Sequence, residues 1–172
     1  MPLKPFRNVF DRSMAMIDRG LQYLLILLMG IMVVNVLWQV ATRFLLGDPS
    51  SYTEEIARFL LIWIGMLGGC HAYRVGAHLG LDILSHHLQG AARWRLQWII
   101  SGAVIIFAVA VLIYGGGTLV LLTNELHQTS ASLEISMAVI YSVIPLSGAL
   151  LCCFGVDELL TGPNIHRHAD TN

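Results

Sequence analysis

The chain has 172 residues, of which 56% are hydrophobic and only 12% charged, and its formal net charge is −1. A soluble domain carries about 25% charged residues, and one of this size could not bury so much apolar surface, so lipid must cover part of it. The near-zero charge gives no electrostatic footprint for nucleic acid and excludes it as an expected partner.

The length fits one domain, 1–172. Residues 5–19 come first: Phe6, Val9, Phe10, Met14 and Ile17 recur at three- and four-residue spacing, while Arg7, Asp11, Arg12, Asp18 and Arg19 take the other face. This pattern predicts an amphipathic helix lying on a membrane surface. The apolar stretch that follows is too long for a signal-peptide core and lacks a small-x-small cleavage site, so it is expected to stay in the mature protein.

Four apolar stretches then follow at 21–46, 54–74, 96–123 and 133–160. Each is long enough to cross a hydrocarbon core of about 30 Å. The expected fold is an all-α membrane protein with four transmembrane helices, short interfacial helices and both termini on the same side.

In the first stretch Asn35, Gln39 and Arg43 fall at i, i+4 and i+8, flanked by Trp38 and Thr42. A polar stripe is costly against lipid, so it is expected to face a helix of this chain or of a partner. Gly47-Asp48-Pro49-Ser50 breaks the helix and predicts a tight hairpin into the second stretch. That stretch opens with Glu54-Glu55 and Arg58, an acid-first i,i+4 pairing. Gly65 and Gly69, with Gly68 between them, make a flat strip that permits close helix approach.

The connection 77–92 is too polar to cross and too apolar to float. Leu81, Leu84 and Leu88 share a face, and a second interfacial helix is expected, closed by Gly90. Trp94 and Trp98 suit the headgroup level. The third stretch has no charge and carries Gly115-Gly116-Gly117; the fourth contains Pro145, where a kink is expected. No helix pair broken in the manner of a transporter substrate site is expected.

Arg43, Glu54, Glu55, Arg58 and Glu134 fall at one depth and are expected to form a charge network. Three roles fit it: a proton or ion site, a docking surface, or a structural clasp. Orientation follows from the loops. Lys4, Arg7, Arg12, Arg19, Arg74, Arg93, Arg95 and Arg167 all lie on one side of the alternating spans, which predicts cytoplasmic termini. His71 and His127 lie at opposite depths, so no histidine pair suits haem, and no metal or other cofactor is expected. Cys70, Cys152 and Cys153 read as small apolar helix residues. Neither a phosphate-binding glycine loop nor a nucleophile–base set is recognisable, so no enzyme activity is expected.

The run Arg43-Phe44, then Ser51 to Arg58, then Trp63-Ile64-Gly65-Met66-Leu67-Gly68, then Arg74-Val75-Gly76-Ala77-His78 to Asp82 resembles the small membrane subunit of TRAP transporters, the DctQ-type family. Ile144-Pro145-Leu146 extends the likeness into the fourth stretch. Tyr52 stands where the family often has tryptophan, and either ring suits an interface. The resemblance implies a non-catalytic scaffold in the bacterial inner membrane. Its expected partners are a large multi-span transporter subunit with sodium and substrate sites, a periplasmic substrate-binding protein, and membrane lipids. The substrate class implied is an organic acid: a dicarboxylate, a sialic acid or another sugar acid. The competing reading is a stand-alone channel or proton carrier, which would need polar residues through the full depth.

Overall fold

The computed structural model describes residues 4–45, 51–76 and 91–161, with side chains over 13–45, 51–76 and 95–159. Its helices are α1 (Lys4–Leu45), α2 (Ser51–Arg74), α3 (Ala91–Phe107), α4 (Gly116–Glu125), α5 (Met137–Tyr141) and α6 (Val143–Thr161). A π-helical stretch, Ala108–Gly115, joins α3 to α4. Four segments are long and apolar enough to cross a membrane: Ser13–Leu45, Ser51–Arg74, Arg95–Glu125 and Met137–Leu159. The expected spans are therefore present. One end of the bundle holds the close of α2 and the start of α3, and the other holds the start of α2 and the loop 126–136.

α1 corrects the first expectation. Residues 5–19 are not a separate element but the opening of one 42-residue helix. The packing explains the continuity. Met14, Asp18, Leu21, Leu25, Leu28, Met32, Asn35, Gln39 and Thr42 are its inward residues, alternating in steps of four and three. That 3.5-residue spacing is a coiled-coil seam, laid along α2, and it runs through the Gly20 junction without interruption. Met14 and Leu21 are buried on either side of that glycine, and Asp18 between them reaches His71. Away from the seam Tyr23, Leu27, Val34 and Leu37 are all exposed.

The second, third and fourth spans form the tighter part. Leu67, Cys70, Val143 and Phe154 are buried at its centre, with Ile62, Trp63, Met66 and Leu150 packed around them. Cys70 Sγ donates to the Ser147 carbonyl at 3.4 Å. Three glycines set the closeness of the third and fourth spans, Gly155 among them with its Cβ position 2.8 Å from Ile105 Cγ1. A Cβ on Gly148 would lie 2.8 Å from Leu112 Cβ and 3.1 Å from the Ala108 carbonyl oxygen; one on Gly116 would lie 2.6 Å from Ile144 Cγ2. The π-helical stretch is packed against this seam, where its wider winding sets the facing side chains.

The fourth span begins later than expected. Residues 133–136 belong to the preceding loop, and Glu134 is exposed there with φ of +54° rather than helical. The span is also interrupted at Ser142, three residues before Pro145, which then sits in the first turn of α6 where its missing N–H is tolerated. Ser142 keeps helical dihedrals (φ −58°, ψ −22°), and its N–H donates to the Ala138 carbonyl at 3.0 Å. The interruption is a kink, not an unwound binding segment. The connection 77–90 lies outside the described residues, and the interfacial helix expected there lies outside with it.

Candidate functional site

At the α2 N-terminal end the two neighbouring acids point different ways. A helix turns 100° per residue, so Glu54 falls on the outer face and Glu55 on the side toward the loop 126–136. Glu54 pairs with Arg58 at 3.1 Å, and both side chains are 67% exposed. Glu55 is half-buried and accepts three successive backbone N–H groups: Ala131 at 3.1 Å, Ser132 at 3.0 Å and Leu133 at 3.0 Å. Successive amides aimed at one point form an anion nest, and here a carboxylate of the same chain fills it. The loop is otherwise held by a small antiparallel bridge between Thr129 and Ser136. Ser130 N–H donates to the Ile135 carbonyl and Met137 N–H to the Gln128 carbonyl, each at 2.9 Å. His127 and Glu134 take left-handed φ values of +46° and +54° at its two ends.

The expected charge network is therefore only partly assembled. Arg58 meets Glu54, but Glu55 is turned to the loop. Arg43 is exposed and makes no ion pair among the described residues, and Glu134 is exposed in the loop. The polar stripe of α1 divides in the same way. Asn35 Nδ2 donates to the Thr53 carbonyl on α2 at 2.8 Å. Gln39 is half-buried in the seam, and its backbone carbonyl accepts from Thr42 Oγ1 at 3.0 Å. Arg43 leaves the seam because eight residues of helix carry it about 80° from Asn35, whereas Thr42 lies within about 20°.

Gly65 and Gly69 are exposed, with nothing within 4 Å of where a Cβ would stand. They join Glu54, Arg58 and Leu61 on one outward stripe of α2. Trp63 packs against the core instead. His78 lies outside the described residues.

The more heavily bonded polar cluster lies at the opposite end, and of its members only Arg74 was an expected interface residue. Arg74 Nη1 donates to Asp157 Oδ2, with side chains 11% and 3% exposed. Its guanidinium also stacks 5.2 Å from the centre of the Phe154 ring. Glu158, the next residue, accepts from Tyr73 OH at 2.5 Å, Gln97 Nε2 at 2.7 Å and Ser101 Oγ at 3.0 Å. The second, third and fourth spans are thus tied at one level. Asp18 completes the set by pairing with His71 Nδ1 at 3.1 Å and accepting from Gln22 Nε2 at 3.2 Å. One signal could have found this cluster: Asp157 and Glu158 are acids inside an apolar run, and an intramembrane acid requires a partner. Spans two and four cross in the same direction, so their C-terminal ends, Arg74 and Asp157, fall at one depth.

The chemistry available is hydrogen bonding and ion pairing between helices. Polar groups cluster at the two ends of the bundle, and the apolar third span separates them.

A family model described as "Tripartite ATP-independent periplasmic transporters, DctQ component" matches residues 32–162. The chain is 32% identical over 88 residues to the sialic acid TRAP transporter small permease protein SiaQ of Vibrio cholerae, covering 51% of each chain. It is 29% identical over 108 residues to the C4-dicarboxylate TRAP transporter small permease protein DctQ of Rhodobacter capsulatus, covering 62% of this chain and 46% of that one. It is 28% identical over 120 residues to the isethionate TRAP transporter permease protein DctMQ of Oleidesulfovibrio alaskensis, covering 70% of this chain and 19% of that one. The chain thus spans about half the length of the first two relatives.

Proposed function

Since this chain belongs to the DctQ component family of tripartite ATP-independent periplasmic transporters, we propose that it is the non-catalytic scaffold for a large, sodium-coupled, elevator-type membrane subunit. A periplasmic binding protein delivers the substrate, an organic acid of the dicarboxylate, sialic acid or other sugar-acid classes. The bundle sits in the inner membrane with both termini in the cytoplasm. The Arg74 end faces the cytoplasm and the Glu55 end the periplasm. The distribution of basic residues supports this orientation, since the connections at the Arg74 end carry the excess.

The observation that carries the reading is the family match, which takes in parts of all four spans. The packing agrees with a static role. Close glycine contacts and an end-on polar tie hold the second, third and fourth spans together, so little in them is free to move. Large apolar areas on α1 and the open glycine strip on α2 remain for a partner or lipid. The DctMQ relative supports a larger partner: the region matching this chain occupies 19% of that polypeptide.

Reconstitution tests the proposal. Liposomes holding this chain alone should show no organic-acid uptake. Liposomes holding it with the large subunit, supplied with binding protein and an inward sodium gradient, should accumulate the acid. Flux through the chain alone would favour the channel reading instead.

A further inference from the structure

We propose that Glu55 is a positioning residue for the periplasmic docking surface: its carboxylate fills the nest of amides at 131–133 and so fixes the loop 126–136 against the second span. The inference rests on the orientation and the binding-protein delivery proposed above.

Three observations converge on it. The first is the geometry. Three consecutive N–H groups lie 3.0–3.1 Å from the two oxygens of one carboxylate. The bridge between Thr129 and Ser136 closes the loop at its base but leaves the amides of Ala131, Ser132 and Leu133 at its tip, and Glu55 is the group that takes them. Without that acceptor the tip would have to find water or refold.

The second is the lack of close packing underneath. A groove of about 440 Å³ separates α2 from the loop, lined in part by Phe59, Ile62, Gln128, Met137 and Tyr141. The carboxylate bridges helix and loop beside this open groove. The left-handed backbone at Glu134 points the same way, because such a non-glycine conformation persists only where surrounding contacts impose it, whereas that at His127 is the cap of α4, with His127 N–H on the Asn124 carbonyl and Gln128 N–H on the Thr123 carbonyl.

The third is what the loop stands beside. Glu54 and Arg58, both 67% exposed, lie one helical turn apart on the same end of α2, and Arg58 lines the same groove as Gln128 and Thr129. Holding the loop thus fixes a surface of mixed charge and hydrogen-bonding groups facing the aqueous side. A soluble binding protein reads such a surface by shape and charge together.

The test uses the assembled transporter with Glu55→Ala and Glu55→Gln in this chain. Hydrogen exchange at 131–133 should speed up about tenfold in Glu55→Ala, as expected when local opening replaces fixed hydrogen bonds. Added formate should restore protection in that variant and leave the wild type unchanged, since a small carboxylate can occupy the vacated nest. In proteoliposomes the binding-protein concentration for half-maximal uptake should rise about tenfold, with the maximal rate nearly kept, as for a weakened encounter. Glu55→Gln, which keeps the volume and one acceptor oxygen, should fall between. Recovery of the large subunit with each variant is measured alongside. Failure to recover it with the wild type refutes the scaffold proposal, and the exchange result still decides the role of Glu55. Unchanged exchange at 131–133, no effect of formate, or a fall in maximal rate with an unchanged half-saturating concentration would overturn the inference.

Discussion

Replacing Asp157 by Leu gives the sharpest stability prediction. Asp157 is 3% exposed and Arg74 11% exposed. Removing one member of a buried pair costs about 3–5 kcal/mol, because the other charge stays desolvated without its counterpart. The low end applies here. Arg74 is the last residue of α2, where water lies close, and its guanidinium keeps the Phe154 ring at 5.2 Å. The expected loss is therefore about 3 kcal/mol, and Arg74→Met should cost a similar amount. The double variant behaves differently, because two apolar side chains of similar volume need no counter-charge. It should lie within about 1 kcal/mol of the wild type. Unfolding of the purified chain by titration with a denaturing detergent, followed by tryptophan fluorescence, measures all four corners of the cycle. Additive losses in the double variant would refute the reasoning, since they would mean that each charge is solvated independently of the other.

Gly148→Ala should destabilise the bundle by about 1–3 kcal/mol, because its Cβ would press on Leu112, Ile113 and the Ala108 carbonyl. Gly65→Ala and Gly69→Ala meet open space and should leave the thermal midpoint of the isolated chain unchanged. Both should reduce recovery of the large subunit if a partner helix seats on that strip. Asn35→Leu removes the donor to the Thr53 carbonyl and should weaken the α1–α2 seam by about 0.6–1 kcal/mol, read as a lower midpoint in the same titration. Arg58→Ala breaks an exposed pair and should change stability by less than about 0.5 kcal/mol, yet impair assembly or uptake. Wild-type levels of both would count against a role for that stripe.

Much of the architecture could be read from the chain because lipid imposes a simple length rule. Four stretches of sufficient apolar length became four spans. The errors arose where packing overrode local pattern. Residues 5–19 have an amphipathic period, but Met14 and Asp18 also keep step with Leu21 and Leu25, and the seam along α2 wins. Arg43 follows Asn35 and Gln39 at a four-residue step, whereas the seam has a 3.5-residue step and takes Thr42 instead. Glu55 was expected to meet an arginine; its partners are backbone amides, which carry no sequence signature. Pro145 was read correctly as a disruption, but the kink falls at Ser142, because proline disturbs the turn before it. The tie of Arg74, Tyr73, Asp157 and Glu158 is hidden because Arg74 stands beside the basic loop residues and the two acids close an apolar run.

Purification through a tag on this chain, in a mild detergent that preserves membrane complexes, tests the central claim most directly. A large multi-span membrane protein should co-elute in one-to-one ratio and stay bound through size-exclusion chromatography. Recovery of this chain alone, together with ion or solute conduction when it is reconstituted by itself, would contradict the scaffold role.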